Sequence, residues 1–241
     1  MTERSTVLEI AGLAKRFGGL TVIDGLDLTV GDREILGIIG PNGAGKTTLF
    51  NLVAGVLQPS AGTIRYNGRE IGRLRTWDRC RLGIGRTYQI PKPFTHLTVF
   101  ENVLAAAVHG AAKSLRAARE QAEAMLEITG LSADHGRPAG QLTLLDLKRL
   151  ELCRALAVGP RLLLLDEIAG GLTDAEVDTL LGIIRRVHGE GTAIVWIEHV
   201  IRALRGLCHR IAVLHEGSFV AIGEPQAVLA DARIRSIYLG E

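Results

Sequence analysis

The stretch 34-EILGIIGPNGAGKTTLF-50 joins an apolar run to a glycine-rich turn and the start of a helix. The apolar run has the length of a buried strand, and the pattern G-x-x-x-x-G-K-[ST] follows it directly. Glycines at this spacing let backbone N–H groups close around phosphate groups at a helix N-terminus. The sequence therefore predicts a phosphate-binding loop made of Gly40, Pro41, Asn42, Gly43, Ala44, Gly45, Lys46, Thr47 and Thr48.

Two side chains of this loop suit phosphate chemistry. Lys46 can reach the β- and γ-phosphates of a nucleotide, and the Thr47 hydroxyl can ligate Mg²⁺. We therefore predict Lys46 as a catalytic residue and Thr47 as a metal ligand. The alternative is a glycine-rich turn that matches the pattern by chance, and the strand and helix on either side argue against it.

A second apolar strand, 161-RLLLLDE-167, ends in two adjacent carboxylates. Asp166 is suited to hold Mg²⁺ through water, and Glu167 to polarise an attacking water molecule. A carboxylate pair in this place can instead stabilise the N-terminus of a following helix. The phosphate-binding loop upstream favours a metal site and a catalytic base.

Three single residues complete the set of candidates. His199 follows the strand 192-TAIVWIE-198 at the sheet edge where a γ-phosphate would lie, and we predict it as catalytic, although a lone His is often structural. Gln89, which ends 83-GIGRTYQ-89, can place water and metal or be an ordinary polar loop residue. Phe17, before a Gly pair, can stack on adenine or pack in a core.

Length and composition limit the class of protein. The chain has 241 residues, of which 47% are hydrophobic and 22% charged, as in a folded soluble protein. A net charge of +2 gives no strong electrostatic drive toward nucleic acid. The three cysteines are far apart and predict neither a disulfide framework nor a metal site, which favours a reducing compartment. We predict a solvated face for the arginines Arg65, Arg69, Arg73, Arg75, Arg79, Arg81 and Arg86.

The order of patterns along the chain predicts an α/β fold, in one domain over residues 1–241. Strands alternate with helices in the last third, which indicates a mostly parallel sheet. We predict a P-loop NTPase core with an N-terminal antiparallel β subdomain, from about 1–90 and 160–241, and an inserted α-helical subdomain at about 91–159. Apolar runs are far shorter than the roughly 18 residues of a membrane span, and no signal peptide is indicated.

Capping and turn signals place the helices. We predict one helix from Lys46 to about Leu57, one after Thr98 in a capping box with Glu101, and one that stops at Gly130. Others are predicted after Thr143, from about Asp174 and from about Val200.

Taken in order, these motifs resemble the ATP-binding subunits of ABC transporters over almost the whole chain. The resemblance implies an adenine platform at Phe17, the glutamine loop at Gln89, an Mg²⁺-site carboxylate at Asp166, a catalytic carboxylate at Glu167 and a switch histidine at His199. It implies ATP and Mg²⁺ as cofactors and ATP hydrolysis as the activity.

Further segments are similar to the subunits that energise uptake of branched-chain amino acids and of related amides or urea. They are KRFGGLTVIDGLDL, GIGRTYQIPKPFTHLTVFENV, RLELCRAL, AGGLTDAE and the closing IRSIYLGE. This family implies two membrane permease subunits, a second ATPase subunit that is identical or different, and an extracytoplasmic solute-binding protein that acts indirectly. The chain would lie at the cytoplasmic face of the plasma membrane as a peripheral subunit, without nucleic acid.

The segment 142-LTLLD-146 stands where this family has its signature, Leu-Ser-Gly-Gly-Gln. The resemblance implies that the Thr143 hydroxyl contacts the γ-phosphate bound to the other subunit. Leu144 and Leu145 replace glycines and Asp146 replaces Gln, which adds bulk and negative charge next to a polyanion. Backbone N–H groups and the helix dipole remain. We therefore expect a working site at this chain's own loop and a weakened half-site at its signature.

Other functions fit less well. A soluble ABC-type ATPase acting on DNA or the ribosome predicts a long coiled coil or two cassettes in one chain, and the sequence has neither. A regulatory subunit with weak hydrolysis fits the altered signature, but Glu167 and His199 argue against it. A small-molecule kinase leaves the helical insert without a role.

Overall fold

The computed structural model describes residues 5–111 and 114–239, with side chains described to residue 237. The ends of the predicted domain and the last residues of the closing IRSIYLGE lie outside this part. The described chain divides into two compact units. The first comprises the described parts of Met1–Arg79 and Ala193–Glu241, and the second the described part of Cys80–Thr192. The predicted boundaries of core and helical subdomain stay a prediction.

Strands and helices follow one another along both units. The strands are β1 (Thr6–Phe17), β2 (Leu20–Gly31), β3 (Ile35–Ile39), β4 (Ala61–Tyr66), β5 (Arg69–Glu70), β6 (Ile84–Arg86), β7 (Leu162–Asp166), β8 (Ala193–Ile197), β9 (Arg210–His215) and β10 (Ser218–Gly223). The helices are α1 (Lys46–Val53), α2 (Thr76–Arg81), α3 (Val99–Gly110), α4 (Leu115–Thr129), α5 (Leu144–Leu156), α6 (Asp174–Gly189), α7 (Ile201–Leu207), α8 (Pro225–Ala230) and α9 (Ala232–Leu239). Across residues 5–111 and 114–239, none of the helices combines the length and the apolar composition needed to cross a bilayer.

The first unit contains an antiparallel sheet and a set of mostly parallel strands. The antiparallel sheet has the order β2-β1-β4-β5. Strand β2 buries alternate residues from Leu26 to Val30, whereas β1, whose register shifts, buries the neighbours Val7 and Leu8 together with Ile10 and Leu13. Strand β3 pairs in parallel with β8 and with β9, and β10 is antiparallel to β9. Every residue of β3 and β8 is buried, so both strands read as continuous apolar runs. The predicted α/β class is confirmed.

The second unit combines a parallel strand pair with packed helices. Strand β6 pairs in parallel with β7, and helices α3, α4 and α5 pack on one another through a core that includes Val103, Leu126 and Leu150. The capping box at Thr98 and Glu101 is present, and α4 stops at Gly130 in the left-handed conformation. These predicted helix boundaries are confirmed.

Two predictions near α1 are wrong, and one side chain accounts for both. The helix predicted to reach Leu57 ends at Val53. Arg79, predicted on a solvated face, is completely buried and donates hydrogen bonds to the carbonyl oxygens of Leu52 (2.5 Å) and Val53 (2.9 Å). Its guanidinium therefore satisfies carbonyl groups that the end of a helix leaves unpaired. Burial lowers the pKa of Arg79 to about 10.

We expect Arg79→Met to lower the free energy of unfolding by about 3 kcal/mol, because it leaves buried carbonyl oxygens without donors. Arg79 also donates to Gly72 O and Leu74 O, so the loss extends to the loop before α2. Urea unfolding measures the change. Arg81→Met, an exposed residue on the same helix, serves as the control, with a change within about 0.5 kcal/mol. Equal losses in the two variants would contradict the capping role.

The three cysteines are free, in agreement with the prediction from their spacing. Burial raises the pKa of Cys153 and of Cys208 to about 12, and also raises the pKa of Cys80. In the part of the chain that the structure describes, no group of His, Cys, Asp or Glu side chains is arranged to hold a metal ion by itself. Burial thus disfavours the thiolate form of all three cysteines.

Candidate functional site

The predicted phosphate-binding loop, residues 40–48, joins β3 to α1 in the first unit. Gly40 has φ 154°, and a Cβ atom there would lie 2.0 Å from the carbonyl oxygen of Leu214 in β9. Gly45 has φ 106°, and its Cβ would lie 2.8 Å from a methyl carbon of Ile23 in β2. Close approach to neighbouring backbone and side chains therefore requires glycine at both positions.

Lys46 is the first residue of α1 and folds back over the loop. Its Nζ donates to Gly40 O at 2.6 Å and to Pro41 O at 2.9 Å. The first turn of a helix presents N–H groups without intrahelical partners and a partial positive charge. The ammonium and these N–H groups together make the loop suited to an anion.

His199 follows β8 in the same unit and is accompanied by a buried carboxylate that the sequence reasoning missed. Glu198 is fully buried, and its Oε1 accepts the backbone N–H groups of His199 (3.0 Å) and Val200 (3.4 Å). The same oxygen lies 3.5 Å from His199 Nδ1, while the imidazole is largely exposed. Glu198 therefore orients the histidine at the end of the strand. An acidic residue that ends an otherwise apolar strand was the available signal.

Phe17 ends β1 and is 45% exposed. The Lys15 ammonium lies 5.0 Å from the centroid of its ring. The alternative of a core aromatic is therefore excluded, and the ring is accessible for stacking.

Asp166 ends β7 in the second unit and is held on two sides. Its carboxylate pairs with Arg86 at 3.2 Å, and both side chains are nearly buried. Its N–H donates to the hydroxyl of Thr87 at 3.1 Å. Arg86 is thus another member of the arginine run that does not lie on a solvated face, and it serves as the counter-ion of the predicted metal ligand.

The structure brings Gln89 and Glu167 together. Gln89 Nε2 donates to Glu167 Oε2 at 2.5 Å. Glu167 has φ 46°, a left-handed conformation that is uncommon for a residue other than glycine. Strained backbone of this kind recurs at active sites, where the surrounding structure maintains it. This pair can hold a carboxylate in a fixed orientation toward a water molecule.

Thr143 is the N-cap of α5, as predicted, but its hydroxyl is engaged within its own turn. It accepts the N–H of Asp146 at 3.3 Å and donates to Asp146 Oδ2 at 2.7 Å. The other oxygen of Asp146 pairs with Arg149 at 3.2 Å. Leu144, the first residue of the helix, is exposed. A ligand phosphate at this turn would meet a bulky side chain and a carboxylate that already binds the hydroxyl.

Comparisons with known proteins agree with these features. Residues 23–170 match the family described as ABC transporter. The high-affinity branched-chain amino acid transport ATP-binding protein BraF of Pseudomonas aeruginosa is 36% identical, with 98% of each chain covered. The lipopolysaccharide export system ATP-binding protein LptB of Haemophilus influenzae is 32% identical, also over 98% of each chain. A solved ATP-binding cassette of an ABC transporter in its ADP conformation has a TM-score of 0.89 and 28% identity, covering 98% of this chain and 99% of that one.

Proposed function

Since the chain belongs to the ABC transporter family as one of its ATP-binding and ATP-hydrolysing subunits, we propose that it energises an importer of branched-chain amino acids or related small solutes. The observation that carries the solute class is the 36% identity with BraF over 98% of both chains. The export subunit LptB matches over the same share at lower identity. The chain works with membrane permease partners, as its transporter relatives do.

We propose that the terminal phosphates of ATP bind to the backbone N–H groups of residues 40–48 and to the Lys46 ammonium. Phe17 stacks on the adenine. The hydroxyl of Thr47, the carboxylate of Asp166 and the side-chain amide oxygen of Gln89 hold Mg²⁺, because hard oxygen donors of these types suit that ion. When bound, the ion neutralises charge on the phosphate oxygens. Arg86 pairs with the Asp166 carboxylate and orients it.

The hydrolytic step is assigned to Glu167 and its neighbours. The Glu167 carboxylate polarises the attacking water and accepts its proton, and the Gln89 amide fixes the carboxylate. His199, oriented by Glu198, donates to the γ-phosphate. Most of the rate enhancement then comes from positioning and from charge stabilisation of phosphoryl transfer to water.

The proposed assembly contains two permease subunits and a second ATPase subunit at the cytoplasmic face of the plasma membrane. An extracytoplasmic binding protein delivers the solute. In the ATPase dimer, the turn from Thr143 to Asp146 faces the nucleotide of the other subunit. The bond between the Thr143 hydroxyl and Asp146 supports the expectation of a weakened half-site on this side.

The test is ATP-driven leucine uptake into proteoliposomes that contain the assembled complex. We expect Lys46→Met to weaken Mg-ATP binding by about tenfold to a hundredfold, because charge-assisted hydrogen bonds to phosphate are lost. Uptake falls in parallel. Arg116→Met is the control, since this cation lies on α4 with 92% of its side chain exposed.

The nucleotide site and the transported solute are tested by different outcomes of this experiment. Unchanged Mg-ATP affinity in Lys46→Met refutes the proposed role of the loop. ATP hydrolysis by the wild-type complex without uptake of leucine, isoleucine or valine refutes branched-chain amino acids as the solutes.

A further inference from the structure

Helix α5 buries two charged side chains one turn apart. Lys148 is 4% exposed and Glu151 is 5% exposed. Residues three apart lie on the same face of a helix, so both side chains point to the same neighbouring segment. Burying a charge costs free energy unless it is paired or hydrogen-bonded, and the bonds these two groups make indicate their role.

The Lys148 ammonium binds the backbone of the two residues whose side chains meet at the candidate site. Its Nζ donates to Gln89 O at 2.7 Å and to Glu167 O at 3.3 Å. One cation therefore fixes the main chain on both sides of the contact between the Gln89 amide and the Glu167 carboxylate.

Glu151 holds the same segment from the next turn of α5. Its Oε1 accepts the Tyr88 N–H at 3.2 Å, and its Oε2 pairs with Arg154 at 3.2 Å. Arg154 in turn donates to Lys92 O at 2.9 Å. Burial raises the pKa of Glu151, while Arg154, the backbone N–H groups of Tyr88 and Lys92, and Lys148 oppose that rise. Residues 88–92 are thus bound to α5 along their length.

The backbone of Glu167 needs such support. Its φ of 46° is a strained backbone conformation for a residue with a side chain. A hydrogen bond from a buried ammonium to the carbonyl of that residue favours this peptide orientation. Lys148 lies on the helix that Thr143 caps, so a shift of the first turn of α5 also moves the cation.

We propose that Lys148 is a positioning residue for ATP hydrolysis, which holds Glu167 and Gln89 in register and ties them to the start of α5. This inference rests on the proposed roles of Glu167 and Gln89. In the proposed dimer, the turn from Thr143 to Asp146 faces the other subunit. Lys148 would then couple the position of this turn to the position of the Glu167 carboxylate. Nucleotide binding itself involves residues 40–48 and does not depend on Lys148.

The test is steady-state ATP hydrolysis by the assembled complex with Lys148→Met. We expect kcat to fall about tenfold to a hundredfold, because small misplacements of reacting groups have effects of this size, with KM for ATP within about twofold of wild type. Lys148→Arg, which keeps the cation and its donors, recovers most of the lost kcat. Arg116→Met again provides the control for loss of a cation on a helix.

A local measurement accompanies the kinetics. Amide hydrogen exchange in residues 88–92 speeds up in Lys148→Met, whereas residues 40–48 exchange as in wild type. A kcat at the wild-type level in folded Lys148→Met overturns the proposal, as does a loss that Lys148→Arg shares in full. If Lys148→Met does not fold, Lys148→Gln, too short to reach both carbonyl oxygens, replaces it under the same criteria.

Failure of this inference is distinguishable from failure of the proposed function. A Glu167→Gln variant without hydrolysis beside a fully active Lys148→Met variant refutes only the positioning role. Full activity of Glu167→Gln refutes the proposed catalytic role on which it rests.

Discussion

A complex that carries Glu167→Gln is expected to hydrolyse ATP about a hundredfold more slowly than wild type, with unchanged affinity for ATP. The amide retains an oxygen that can accept the Gln89 Nε2–H at the position of the carboxylate, so the geometry is kept and the basicity is lost. Phosphate release under steady-state conditions measures the rate, and equilibrium binding measures the affinity. Glu120→Gln on α4, where the side chain is exposed, is the matched control.

The same change in the partner subunit tests the proposed asymmetry. In the proposed dimer, the partner's loop would meet the turn from Thr143 to Asp146 of this chain, where Asp146 already binds the hydroxyl. The site that contains Glu167 is therefore expected to carry most of the hydrolysis. A smaller loss from the partner's change supports this distribution, and equal losses contradict it.

The second large effect is expected for Gly40→Ala. The added Cβ would lie 2.0 Å from Leu214 O, and the φ of 154° disfavours a side chain. The backbones of Gly40 and Leu214 belong to the buried core around β3 and β9, so a shift of either one would disrupt its packing. We expect the free energy of unfolding to fall by about 3 kcal/mol, with loss of Mg-ATP binding because Gly40 O also holds the Lys46 ammonium. Urea unfolding and calorimetric titration measure the two effects.

Gly43→Ala is the matched comparison in the same loop. Gly43 also has a positive φ, 82°, but its Cβ would have no heavy atom within 4 Å among the described residues. Only conformational strain of about 1 kcal/mol is expected there. If Gly40→Ala is no less stable than Gly43→Ala, close packing against β9 is not what requires the glycine.

Local patterns predicted the elements whose signals lie within a few residues. Continuous apolar runs placed β3, β7 and β8, and capping residues placed the starts of α3 and α5. The short elements α2, α8 and β10 were not predicted. Six residues form less than two turns of a helix, and in a strand they place only three side chains on each face, so the periodic pattern is too short to detect.

Charged residues whose partners are distant in sequence were the main failure. Arg79 looked like one member of a solvated run, yet it is buried against carbonyl oxygens some 26 residues away. Lys148 gave no signal of its distant acceptors, Gln89 O and Glu167 O, either. Hydrophobic periodicity indicates which face of a helix or strand is buried. A long-range hydrogen-bond acceptor, in contrast, depends on which distant segment the fold places next to the donor. The turn at residues 40–48 between β3 and α1 was predictable because its sequence signal is local, and its phosphate-binding role stays a prediction.

The buried thiols described above make the protein a convenient host for site-directed probes. Thiolate is the species that reacts with maleimides, and a pKa of about 12 leaves very little of it on Cys153 or Cys208 at neutral pH. Cys80 is also shifted in this direction. A cysteine introduced at exposed Ser114 would therefore outcompete the native ones for a fluorophore or spin label. Distances between two such labels could then test whether the proposed ATPase dimer opens and closes, without a cysteine-free background.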